Sequence, residues 1–146
     1  MLKQSIAGID VSAQKLDVAA EFDGGSMCMD SFANETVGHE KLCKWLTKGQ
    51  RPARVIVEST GIYSLDVALA LHRTPGVTVM VANPRALKDF ARASMLRSKT
   101  DSVDAGSTLE YAKRMPFVPW EPPSSTVLEL RAISRRMAAL TVERTR

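Results

Sequence analysis

The sequence is poor in cysteine, histidine and aromatic residues. It has two cysteines and two histidines in 146 residues, and only 5% of the chain is aromatic. Cys28 and Cys43 form no CxxC pair, and no zinc motif is read around them. They read as free thiols in a reducing cytoplasm rather than as a disulfide framework. The shortage of aromatic rings excludes base stacking as the main means of holding a nucleic acid. No apolar run reaches the about 18 residues of a membrane span, and Met1–Ser5 lacks the apolar core of a signal peptide. Internal repeats and low-complexity tracts are absent as well. A cytoplasmic protein with no membrane partner is therefore expected.

What is present is ordinary in bulk. With 45% hydrophobic and 25% charged residues, the chain fits one soluble domain with a real core. The net charge of +4 leans mildly toward a polyanionic partner. Patterning predicts strands over about 4–12, 15–22 and 26–32, the first two paired as a hairpin across Ser12-Ala13-Gln14. Asn34 or Thr36 should cap a helix running to about Thr47, with Val37, Leu42, Trp45 and Leu46 on its apolar side. A strand over 53–58, a helix over 62–72 with Leu65 and Leu69 inside, a strand over 77–82 and a helix opened by Pro84 come after it. A helix from about Asp101 to Lys113 is next. Pro116, Pro119, Pro122 and Pro123 then mark an irregular link, and a long helix starts near Ser124, with Leu128, Ile133, Met137 and Leu140 as its apolar positions. The resulting order, β-β-β-α-β-α-β-α-α-α, predicts an α/β fold with a mixed sheet flanked by helices. It resembles the ribonuclease H-like fold. Residues 1–120 are expected to form the domain, and 121–146 a linker and the start of a coiled-coil helix.

Four acids carry the chemistry. Asp10 ends the apolar run Ile6-Ala7-Gly8-Ile9, and Glu58 ends Val55-Ile56-Val57. Both sit at the C-terminal ends of strands, where sites collect in α/β sheets. Asp101 and Asp104, at i and i+3 of the expected helix, can share one face. A set of carboxylates alone suits a hard ion such as Mg²⁺. Several converging carboxylates can hold two such ions, one on the attacking and one on the leaving oxygen of a phosphodiester. Arg97 and Lys99 lie just before the pair and can hold phosphate, as can Arg85, Lys88 and Arg92.

Each residue also has a plainer reading. Glu58 can favour the start of the next helix through the helix dipole, and Asp101 can be an N-cap with Asp104 at N3. His39 and His72 read as surface helix residues, and Trp45 reads as core. Tyr63 suits either nucleic acid or first-turn packing. Trp120 can pack the link onto the next segment of the chain. Arg131, Arg135 and Arg136 suit either a solvated face or a nucleic-acid contact.

Taken together, the motifs resemble a known family. They are Gly8-Ile9-Asp10-Val11-Ser12 with Lys15-Leu16-Asp17, then Val57-Glu58-Ser59-Thr60-Gly61, Asn83-Pro84, and Lys99-Thr100-Asp101-Ser102-Val103-Asp104-Ala105. Their order and spacing are similar to the N-terminal domain of DEDD-type insertion-sequence transposases of the IS-one-ten family, relatives of the Piv and MooV DNA invertases. The resemblance implies a RuvC-like domain in which Asp10, Glu58, Asp101 and Asp104 form the tetrad that binds Mg²⁺. It implies DNA recombination guided by a bridge RNA, so DNA and a guide RNA are the expected partners, with a homodimer or higher homo-oligomer. It also implies a second domain with a nucleophilic serine after the coiled coil. The chain ends inside a helical pattern, so a truncated chain, inactive alone, is expected. Three other readings stay open: a stand-alone RuvC-like Holliday junction resolvase, a non-catalytic nucleic-acid-binding and dimerisation module, and an actin-like sugar-kinase fragment.

Overall fold

The computed structural model describes residues 3–94 and 104–144. Strands β1 (Ser5–Val11), β2 (Lys15–Phe22) and β3 (Cys28–Ala33) form an antiparallel meander. The first turn is tight because the Ser12 hydroxyl donates to the Lys15 carbonyl at 2.9 Å and accepts from the Lys15 N–H at 3.2 Å. The second turn uses left-handed backbone at Asp23 and Gly24. β4 (Ala53–Glu58) lies parallel to β1, and β5 (Val77–Ala82) lies parallel to β4. The sheet order is therefore β3-β2-β1-β4-β5. Parallel neighbours need crossovers, and helices α1 (Thr36–Leu46) and α2 (Ile62–Arg73) supply them. Helix α3 (Pro84–Ala93) comes after β5, and α4 (Ala105–Arg114) and α5 (Ser125–Arg144) complete the described elements. This is the mixed α/β sheet flanked by helices that the pattern predicts.

Strand alternation sorts residues onto two faces. Ala7, Ile9 and Val11 of β1, with Val55 and Val57 of β4, bury themselves against Leu42, Leu46, Val67 and Leu71 of α1 and α2. The other face carries Ile6, Gly8 and Asp10 of β1 and Ile56 and Glu58 of β4, and meets α3 and α4 through Leu87, Leu109 and Tyr111. Burying each large aliphatic side chain contributes about 1.5–3 kcal/mol. On this second face α4 rests on the backbone of β1. A Cβ at Gly8 would collide with the Leu109 nitrogen, the Thr108 carbonyl carbon and the Ala105 oxygen. Only glycine permits that approach.

Several expectations need correction. The α1 N-cap is Glu35, and its side chain makes no capping bond. Asn34 turns its side chain toward the carbonyls of Ser12 and Tyr63 instead. Val37 is 55% exposed rather than on the apolar side. His39 is buried, not a surface residue. In α2 the fully buried positions are Val67, Ala68 and Leu71, while Leu65 and Leu69 are only half-buried. The fourth helix begins at Ala105, not at Asp101, because Asp104 is its N-cap in extended backbone (φ −105°, ψ 176°). Asp104 therefore stands just outside the helix, and Asp101 lies outside the described residues. In α5 Leu128 is half-buried, and the exposed apolar positions include Leu130, Ile133, Met137 and Leu140.

The Gly8 contact yields a stability test. Gly8→Ala must push α4 off β1, which should cost about 2–3 kcal/mol of overpacking strain. Urea denaturation measures this directly. A variant within about 0.5 kcal/mol of wild type would contradict the packing.

Candidate metal and nucleic-acid site

The last register pair between β1 and β4 is Ile9 with Val57, so Asp10 and Glu58 stand side by side, one residue further along each strand. Both alternate with residues that face α4, so both carboxylates lie on the α3–α4 face at the C-terminal edge of parallel strands. Asp104 reaches the same edge from the other side. It stands one residue before Ala105, whose oxygen crowds Gly8, and Asp10 stands two residues after Gly8 on the same face. The close approach at Gly8 thus sets the distance between the strand acid and the helix acid.

The electrostatics agree with this placement. Burial pushes the Asp10 carboxyl above its ordinary range, and the charges of Asp17 and Asp104 push it further, with Lys15 opposing. Burial likewise raises Glu58, Asp10 adds to the rise, and Lys88 of α3 opposes it. Asp10 therefore feels Asp104 on one side and Glu58 feels Asp10 on the other. Among the described residues, no three such side chains converge tightly enough to make a metal-binding group. Asp101, Arg97 and Lys99 lie outside the described residues. Asp104 spends one oxygen on its own helix, accepting from the Ser107 N–H at 2.8 Å, so the capping reading and the site reading fall on the same residue. The donor chemistry, though not a closed ligand group, is of the kind a hard divalent cation takes: three carboxylates along one edge, two of them with proton affinity raised above the ordinary value.

Three residues escaped the sequence reading as parts of this edge. Asp17 is the β2 register partner of Asp10 and faces the same side. Its carboxylate accepts from the Ser31 hydroxyl at 2.7 Å and lies 3.5 Å from the Lys15 ammonium. Strand alternation in Lys15-Leu16-Asp17-Val18, set against the short hairpin, could have placed it there. Asn34 and His39 are the other two. His39 Nε2 and Asn34 Oδ1 are 2.7 Å apart, and Asn34 Nδ2 donates to the carbonyls of Ser12 at 2.8 Å and Tyr63 at 3.0 Å. Burial lowers the His39 pKa. Nothing in the sequence distinguishes Asn34 from a helix cap. The Tyr63 side chain stays 47% exposed.

The basic residues gather on α3. Arg85, Lys88 and Arg92 stand at i, i+3 and i+7, on one helix face, and line one groove with Asn83 and Asp89. Asn83 caps this helix by accepting from the Arg85 N–H at 2.8 Å. No described helix is long and apolar enough to cross a membrane.

The raised carboxyls make a pH prediction. Asp10 and Glu58 bind protons more tightly folded than unfolded. Their contribution to stability is fully present below the unfolded values and is lost as pH rises through the higher folded ones. In chelator at pH 7, Asp10→Asn and Glu58→Gln should each raise the melting temperature by a few degrees. The gain should shrink as pH falls and the wild-type carboxyls themselves take up protons. Thermal unfolding at pH 7 and at successively lower pH checks this, and a variant less stable than wild type at pH 7 would count against the crowding of charge.

No curated protein matches the chain. RuvC of Thermus thermophilus aligns at 17% identity and a TM-score of 0.41, over 66% of this chain and 74% of that one. A Ppx/GppA family member from Aquifex aeolicus aligns at 14% identity and a TM-score of 0.37, over 64% of this chain and 39% of that one. The sequence profile described as "Transposase", that of the IS110-type DEDD transposases, matches residues 7–146, nearly the whole length. The chain thus belongs to the IS110-family DEDD transposases, nucleic-acid-cleaving enzymes whose partner is DNA.

Proposed function

We propose that this chain is the catalytic N-terminal domain of a recombinase that cleaves and exchanges DNA strands, with Asp10, Glu58, Asp101 and Asp104 holding Mg²⁺. The observation that supports the reading is that Asp10, Glu58 and Asp104, from two strands and a helix N-terminus, lie along one face of one sheet edge, near enough for Asp10 to feel Asp104 and Glu58 to feel Asp10. Bound there, Mg²⁺ would neutralise charge on a scissile phosphate and activate the attacking oxygen, with two ions the arrangement suited to in-line displacement. The protein's own part is to hold the carboxylates at fixed spacing and bring the backbone to them. Residues 1–120 serve as this domain, and 121–146 as the link and helix leading away from it. Calorimetric titration tests the metal: Mg²⁺ should bind wild type, and Asp10→Ala and Glu58→Ala should each weaken binding at least about tenfold. Equal binding by Asp10→Ala would sink the assignment.

The α3 face, with Arg97 and Lys99, is the proposed track for the phosphate backbone. Lys88 already feels Glu58, so the track runs into the acid edge. Log affinity for duplex DNA should fall linearly with log salt. Replacing Arg85, Lys88 and Arg92 by alanine should reduce that slope by roughly 1 per lost phosphate contact, for any DNA sequence. An unchanged slope would move the track elsewhere. The resemblance to the bridge-RNA-guided transposases supports a guide RNA as the second nucleic-acid partner.

Helix α5 supports a homo-oligomer. Leu130, Ile133, Met137 and Leu140 are each more than half exposed. Their 3-4-3 spacing makes the seam of a helix pair. An isolated helix with such a stripe is marginal in water. Light scattering should report a dimer for the chain and a folded monomer after truncation at Pro123. A monomeric full chain with an ordered α5 would refute this role.

A further inference from the structure

Asn34 stands where β3 hands over to α1, yet most of its bonds go to the acid edge. Its backbone N–H donates to the Gln14 carbonyl at 2.9 Å. Its side-chain amide donates to the Ser12 carbonyl, two residues beyond Asp10, and to the Tyr63 carbonyl, five residues beyond Glu58. Both carbonyls only accept, so the amide nitrogen must face them and Oδ1 must face His39. Oδ1 cannot donate either, so the buried His39 ring holds its proton on Nε2 and gives the hydrogen bond. The tautomer and the amide orientation are thus dictated by the partners. The ring is held against Asn34 by a glycine. A Cβ at Gly38 would collide with the Ala33 backbone, so α1 sits directly on the end of β3 and presents His39 one residue later.

We infer that Asn34, oriented by His39, is a positioning residue that locks the β1–β2 turn to the first turn of α2 and thereby fixes the spacing of Asp10 and Glu58. The register of parallel strands β1 and β4 ends at Ile9 and Val57, before the loops that leave their acids. Without Asn34 the two loops would move independently, because Ser12–Gln14 and Ser59–Tyr63 belong to different connections. One amide bridging both makes them a single rigid edge. The mechanistic use of this edge rests on the metal reading above, whereas the coupling of the loops does not.

Hydrogen exchange and calorimetry on the full chain test the two parts separately. Asn34→Ala should speed amide exchange in Val11–Gln14 and in Ser59–Tyr63 together, by about tenfold each, the effect of one lost hydrogen bond. It should also weaken Mg²⁺ binding by roughly tenfold. Asn34→Asp keeps the size and the acceptor toward His39 but loses both donations, so it should behave the same way; it serves if the alanine variant does not fold. Thr47→Ala removes a similar side-chain-to-backbone bond at the far end of α1, from Thr47 Oγ1 to the Cys43 carbonyl at 2.7 Å. It should leave both loops and Mg²⁺ affinity unchanged. Exchange that rises in only one loop, or in neither, overturns the coupling. Faster exchange in both loops with unaltered Mg²⁺ affinity overturns the positioning role. Should wild type bind no Mg²⁺ while both loops still loosen together, the metal reading fails and the coupling stands.

Discussion

The acid edge depends on a contact that contains no side chain. Helix α4 lies on the backbone of β1 at Gly8, with the Ala105 oxygen, the Thr108 carbonyl and the Leu109 nitrogen filling the space a Cβ would need. The approach places the helix N-terminus at the end of β1, and with it Asp104. A side chain at residue 8 would lift the helix by the thickness of a methyl group and part Asp104 from Asp10. Leu109 and Ala105, buried against Ala19 and the edge of Ile6, then hold the helix down. Packing in one place therefore sets electrostatics in another.

That electrostatic arrangement works against the fold. Burial makes charging Asp10 costly, and Asp17 and Asp104 repel its charge in addition. The structure offsets part of this locally. Asp17 is neutralised by Lys15 and bound by Ser31, Glu58 has Lys88, and Asp104 is occupied by the first turn of its own helix. Asp10 keeps the least compensation of the group: among the described residues the charge opposing its rise is Lys15, which it shares with Asp17. An edge that accumulates like charge at the expense of stability is the usual mark of a site kept for its chemistry.

Much of this was legible in the sequence because it rests on periodicity. The apolar runs before Asp10 and Glu58 announce buried strands that end on acids, and Pro84 opens its helix where expected. What was illegible depends on tertiary contact. A residue such as Asn34 looks the same whether it caps a helix or bridges two loops, and the choice is made by carbonyls 22 and 29 residues away. His39 reads as surface because its helix is amphipathic only in part, and burial comes from Gly38 drawing α1 onto β3. The start of α4 was misplaced for a local reason. Both Asp101 and Asp104 are competent caps, and sequence does not choose between them, whereas the seating of Ala105 on β1 does.

The proline-rich link shows the same division between pattern and packing. Its composition reads as an irregular connection, yet it is tied to the sheet at several points. Phe117 lies under the Arg54 guanidinium at 4.5 Å, and the Val118 N–H reaches the Met80 sulfur at 3.3 Å. The Trp120 N–H donates to the Val79 carbonyl at 2.7 Å, and its ring meets His72 edge-on at 6.0 Å. Trp120 thereby satisfies part of the open edge of β5, one way of protecting an edge from pairing with another chain. The opposite edge, β3, has no comparable cover among the described residues and exposes Met29. Prolines restrict the link's own conformations, so fixing it costs less entropy than fixing a glycine-rich tether. The exposed stripe of α5 therefore departs from an anchored point.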